Sequence, residues 1–124
     1  MSRIAVRLLA ATAAMITATV AVQTPAFAIN EVEQCLVYFT SCQTDNVPAH
    51  STQHWVKWTV GRADICVGDT SWRLVDANSG ATVASGTVSK GTKSGTVYGL
   101  YGSAYHVTVF NSCTGSRGVV QNYT

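Results

Sequence analysis

Cys35, Cys42, Cys66 and Cys113, the four cysteines of the chain, all lie downstream of a segment that reads as a cleavable export signal. Residues 1–28 open with Arg3 and Arg7, run through an apolar stretch over 8–22, and end Ala26-Phe27-Ala28. A basic start, an apolar run too short to cross a bilayer comfortably and a small-x-small ending mark a signal peptide rather than an anchor. The cysteines then mature in an oxidising compartment, where an even number is expected to form disulfides rather than to hold metal. The bridges matter because a domain of under about a hundred residues has a thin core and needs covalent support.

The mature region, 29–124, is expected to be one domain. Its Lys57, Arg62, Arg73, Lys90, Lys93 and Arg117 are balanced by Glu31, Glu33, Asp45, Asp64, Asp69 and Asp76, so it is formally neutral. The basic pI of the whole chain therefore belongs mostly to the export segment. A neutral domain with no charge run has no electrostatic footprint for nucleic acid or an anionic membrane. Cys35 follows Glu31-Val32-Glu33-Gln34, a poor context for lipidation, and no second apolar stretch could stop transfer. The expectation is a secreted monomer with no membrane attachment after signal cleavage. The Ala-rich signal and the sparing use of lysine fit a high-GC bacterial source.

Val, Thr, Ser, Gly, Tyr and Trp dominate the mature region, a mixture that favours strands and turns over helices. Residues 54–60 alternate, with His54, Val56, Trp58 and Val60 on one face and Trp55, Lys57 and Thr59 on the other. Gly61-Arg62 breaks this period as a bulge would, and 63–67 resumes it. Further strands are expected over 35–42, 72–76, 81–89, 95–101, 105–109 and 119–123. Asp76-Ala77-Asn78-Ser79-Gly80 reads as a hairpin turn with Gly80 at positive φ. About seven half-apolar strands close most naturally as an all-β antiparallel sandwich.

Gly99-Leu100 followed by Tyr105-His106-Val107-Thr108-Val109 resembles the E–F corner and F strand of immunoglobulin-like and fibronectin type III domains. In those families a leucine precedes a tyrosine whose hydroxyl closes the corner, and Val-x-Val then enters the core. The resemblance covers about a fifth of the mature region. It implies an immunoglobulin-like fold and no particular function, because such sandwiches host unrelated activities. Four cysteines allow three pairings. The immunoglobulin-like topology would bring Cys66 and Cys113 to one pole from opposite sheets, leaving Cys35 and Cys42 as a local clip with a bend between them.

Chemistry is sparsely signalled. His50, His54 and His106 are the only imidazoles, no serine sits in a Gly-x-Ser-x-Gly turn, and the thiols are expected to be oxidised. No catalytic residue, metal or cofactor is expected. His50 and His54 would be ~13 Å apart on an extended strand, and Asp76-x-Asn78-x-Gly80 lacks the later acidic ligands of a calcium loop. Aromatics offer the binding signal. Trp55, if it faces outward beside Lys57, could stack on a sugar or anchor a protein, with Tyr98 and Tyr101 extending the surface. The alternative is that it covers a sheet edge or packs under the loop over 43–53, since large apolar groups in small domains are mostly core.

A second resemblance concerns Ser71-Trp72-Arg73. It is similar to the Trp-Arg-Tyr element of small, two-disulfide, secreted actinobacterial β-sandwich inhibitors of α-amylase, with Leu74 standing where the tyrosine would be. That resemblance implies Trp72 and Arg73 presented on a rigid loop. The sequence thus leads to a non-catalytic extracellular binding module for glycan or protein, with a hydrolase inhibitor as the alternative. Intact-mass analysis of the protein from culture medium should show a chain beginning at Ile29. Recovery of the full precursor from membranes would overturn that expectation.

Overall fold

The computed structural model describes residues 30–124, and the expected export segment over 1–28 lies outside them. The described residues form eight strands: β1 (Val32–Leu36), β2 (Cys42–Gln43), β3 (Trp55–Gly61), β4 (Thr70–Asp76), β5 (Thr82–Val88), β6 (Thr92–Tyr98), β7 (Tyr105–Phe110) and β8 (Arg117–Gln121). They make two four-stranded sheets, ordered β1-β8-β3-β6 and β2-β7-β4-β5, with every pairing antiparallel. The chain is therefore an all-β sandwich with two disulfides, Cys35–Cys42 and Cys66–Cys113. An immunoglobulin order keeps its last two strands side by side in one sheet. Here β8 inserts between β1 and β3, opposite β7.

Alternation decides which side chains meet between the sheets. Val56 and Val60 of β3, Trp72 and Leu74 of β4, Tyr105, Val107 and Val109 of β7, and Val120 of β8 form the buried core, with Trp58 packed against it. Trp58 and Trp72 stack across the sandwich with ring centroids 3.8 Å apart. Each indole also lies over a glycine of the adjoining edge strand, since Trp72 pairs with Gly86 and Trp58 with Gly95. A Cβ at Gly95 would meet the Trp58 ring at 3.0 Å, so a larger residue there would push the indole out of its stack by a few tenths of an ångström.

The corner closes as the sequence resemblance implies. Leu100 is buried, and the Tyr105 hydroxyl accepts a hydrogen bond from Gly102 N at 2.8 Å. Other local expectations need correction. Residues 35–42 are two strands in different sheets, because 37–41 crosses from the edge of one sheet to the edge of the other on the same flank. Residues 63–67 turn instead of extending. Cys66 N donates to Ala63 O, and the Arg62 guanidinium donates to Cys66 O and Gly68 O, satisfying carbonyls that a ladder would have used. Gly61 pairs regularly with Thr92 and Arg117, and the irregularity lies between Leu74 and Val75.

Register fixes two ends. Leu36, Gly61 and Thr92 align through Arg117, so residues 37–41, 62–69, 89–91 and 111–116 share one end, which we term the disulfide end. Residues 44–54, 77–81 and 99–104 share the other, the corner end. Cys35–Cys42 joins edge strands β1 and β2, stapling one flank of the sandwich. Cys66–Cys113 joins two loops of the disulfide end across a sequence separation of 47 residues. In the loop-entropy picture the long bridge contributes about 4 kcal/mol and the short one about 2 kcal/mol. Cys66→Ala with Cys113→Ala should accordingly lower the melting temperature clearly more than Cys35→Ala with Cys42→Ala, by calorimetry. An equal or reversed order would contradict the assignment of the main covalent restraint to the long bridge.

Candidate functional site

The tryptophans of the sequence reading are structural. Trp55 lies on the outer face of β3, as its parity requires, yet it is only 7% exposed. The loop before it folds back. His54 N donates to His50 O, the His50 ring stacks on the indole at 5.0 Å, and Trp55 Nε1 donates to Gln53 Oε1 at 3.0 Å. An outward-facing tryptophan is thus roofed by residues 50–53, which corrects the expectation that Trp55 is an open platform. Lys57, two residues on, is half-buried on the same face, where it pairs with Thr96.

Trp72 is likewise not presented on a loop. It is buried in mid-strand and stacked on Trp58. Arg73 points to the opposite, outer face of β4, exposed, with its guanidinium 5.0 Å above the Phe110 ring. Consecutive residues of a strand face opposite ways, so Trp72 and Arg73 cannot jointly form a contact element.

Each histidine has a local role. His50 Nδ1 faces the backbone N–H groups of Thr52 and Gln53, closing their turn. His54 stacks on Tyr101 at 4.2 Å. His106 Nδ1 bonds Asn46 Oδ1 at 3.1 Å, and partial burial, together with the nearby Arg73 charge, lowers its pKa from the ordinary histidine value. The two residues at the ends of the His50–His54 turn send their rings to different partners. Among the described residues no three His, Cys, Asp or Glu side chains gather as metal ligands would. Asp76 Oδ1 accepts from Asn78 N and Ser79 N with Gly80 at φ 78°, the hairpin turn the sequence indicates.

Exposed apolar side chains concentrate at the disulfide end. Tyr38 and Phe39 project from residues 37–41, and Ile65 and Val67 from residues 62–69. Phe39 is 85% exposed and Val67 fully so. Loop 111–116 lies between the two. Gly115 N donates to Val37 O, Thr114 Oγ1 to Tyr38 O and Ser112 N to Thr40 O on one side. On the other, Cys113 is bonded to Cys66, Ser116 Oγ accepts from Ala63 N, and the Thr70 and Ser112 hydroxyls share a hydrogen bond. These four side chains were hidden within segments that read as strands. The available signal was their bracketing by Cys35 and Cys42, and by Asp64 and Gly68-Asp69.

No protein-family model matches the chain, and no curated protein matches it in sequence. The geometry alone therefore defines its class, a β-sandwich whose disulfide-tied loop end exposes apolar side chains. No helix among the described residues is long and apolar enough to cross a membrane, and both disulfides are compatible with an extracellular setting. Since Trp55 is packed, Trp55→Ala should cost about 3–5 kcal/mol in denaturant unfolding. A loss below about 0.5 kcal/mol would restore it to the open surface.

Proposed function

We propose that this protein is exported and acts as a non-catalytic, monomeric binding module that engages an extracellular protein through its disulfide end. The observation that carries the reading is the group Tyr38, Phe39, Ile65 and Val67, held in water on covalently tied loops. Burying a side chain of this size gains about 1.5–3 kcal/mol, and this fold leaves that gain unused. Rigid loops lose little conformational freedom on docking, which leaves more of the contact energy as affinity.

The chemistry favours a protein over a glycan at this face. Ile65 and Val67 have no ring to stack on a sugar, whereas aliphatic and aromatic groups within a charged rim resemble the centre of a protein interface. The same end carries Arg62, Lys90, Lys93 and Arg117 against Asp64 and Asp69. A complementary surface would be apolar at its centre and net acidic at its rim. The export reading rests on the signal-like segment and the two disulfides. The non-catalytic reading rests on the histidines' local partners and the oxidised thiols. An inhibitory variant of the function draws on the same face, because Tyr38 and Phe39 lie on a loop closed by Cys35–Cys42 and could enter the cleft of a secreted hydrolase such as α-amylase.

Phe39→Ser combined with Val67→Ser tests the reading, since both side chains are exposed and the fold should tolerate their loss within about 0.5 kcal/mol each. Pull-down from spent medium with the wild type should retain a partner that the double variant holds at least about tenfold more weakly. Inhibition assays on secreted hydrolases with the same pair of proteins separate simple binding from blockade. Identical capture by wild type and variant would reject the disulfide end as the binding face.

A further inference from the structure

Beyond that reading, we propose that the corner end is a separate carbohydrate site, where a β-linked hexopyranose chain stacks its ring faces on Tyr98 and Tyr101. The two tyrosines are 71% and 78% exposed and flank Gly99-Leu100. Leu100 is buried, its N–H donates to His54 O at 2.9 Å, and Gly99 adopts φ 76°. The backbone between the two rings is thus anchored, and the rings lie at a fixed corner rather than on a free loop.

His54 gives the stronger indication. It occupies the left-handed region at φ 57°, where a residue bearing a Cβ is uncommon. Glycine would make the same two backbone bonds, His54 N to His50 O and Leu100 N to His54 O, without that strain. Backbone geometry therefore does not account for an imidazole here, but its ring does. It stacks on Tyr101 at 4.2 Å with 28° between planes, backing one face of the phenol while the side chain as a whole stays open to water. Tyr98 lies directly opposite Trp55, the neighbour of His54 in the chain, and the packed Trp55 indole supports the outer face of the sheet.

The surroundings suit sugar hydroxyls. Thr96 and Lys57 pair one step along the face from Tyr98 and Trp55. Across the corner, Asn78 Nδ2 donates to Ser103 Oγ, and the neighbouring Asp76 carboxylate is occupied by the N–H groups of its own turn. Exposed rings beside hydroxyl and amide donors and acceptors match a pyranose, which offers C–H faces to aromatics and hydroxyls around its edge. Equatorially substituted, β-linked glucose or N-acetylglucosamine units present the flattest such faces.

Depletion of the secreted protein from solution by microcrystalline cellulose and by chitin tests this directly. The wild type should be retained by at least one of them, and Tyr98→Ala and Tyr101→Ala should each weaken retention about tenfold with an unchanged melting temperature. His54→Gly is the discriminating variant. It should leave the melting temperature equal or higher, because strain is removed, while weakening retention severalfold, because Tyr101 loses its backing. Phe39→Ser with Val67→Ser should bind the polysaccharide as the wild type does, so this site and the protein-binding face fail independently. No retention on either polysaccharide, retention indifferent to both tyrosines, or retention abolished by the Phe39/Val67 variant would each overturn the assignment.

Discussion

Two indoles hold the spacing of this sandwich. Trp58 from one sheet and Trp72 from the other meet at 3.8 Å, and each lies flat over a glycine of the neighbouring edge strand. Covering an edge glycine with a cross-strand aromatic shields backbone that would otherwise be open to water. The arrangement dictates sequence in both directions, since a methyl group at Gly86 or Gly95 would press on the rings at 3.2 Å or less. It also has a cost. Trp72 Nε1 is buried without an acceptor, a penalty of about 1–3 kcal/mol that the stacking and burial of two large rings must outweigh. The flank closed by this pair is the one that carries no disulfide. The opposite flank, between β1 and β2, is closed by Cys35–Cys42.

The loops add Val37, Val47, Ala49 and Leu100 to the core, and at other positions they carry apolar side chains outward. Gly118 shows how little room remains inside, because a Cβ there would come within 2.8 Å of Val109 Cγ2. At the disulfide end the loops are organised by backbone and hydroxyl hydrogen bonds around Ser112, Ser116 and Cys66–Cys113, none of which requires Phe39, Ile65 or Val67 to turn inward. At the corner end Tyr105 and Leu100 secure the turn from within, leaving Tyr98 and Tyr101 on its outside.

The parts of the fold legible in the sequence were those set by period and by local turn chemistry. Alternation placed Val56, Val60, Val107 and Val109 inside, the Asp76 turn declared itself through Asp, Asn and Gly, and the leucine-to-tyrosine corner formed as its motif implies. What period cannot register is a roof. Trp55 faces outward by parity and is buried all the same, because residues 50–53 return over it, and no pattern within the strand records a loop that folds back. The binding surface was missed for a related reason. Ile65 and Val67 look like strand residues one by one, whereas the Cys66 N–Ala63 O bond and the Arg62 guanidinium, reaching back to Cys66 O and Gly68 O, make a turn of that stretch.

Charge illustrates the same loss of information when a sequence is summed. Residues 29–124 carry no net formal charge, yet register sends Arg62, Lys90, Lys93 and Arg117 to the disulfide end, with Asp64 and Asp69, and Glu31, Asp45 and Asp76 toward the corner end. The neutral total conceals opposite local excesses along the strands. A seven-residue strand such as β3 spans roughly 23 Å, more than twice the screening length of ~8 Å at physiological salt. Each end therefore presents its own field, and a ligand at one end is electrostatically blind to the other. A rigid frame with two electrically independent ends lets the chemistry of each face be set without regard to its opposite, which is why aliphatic tips and a tyrosine corner can coexist on so small a domain.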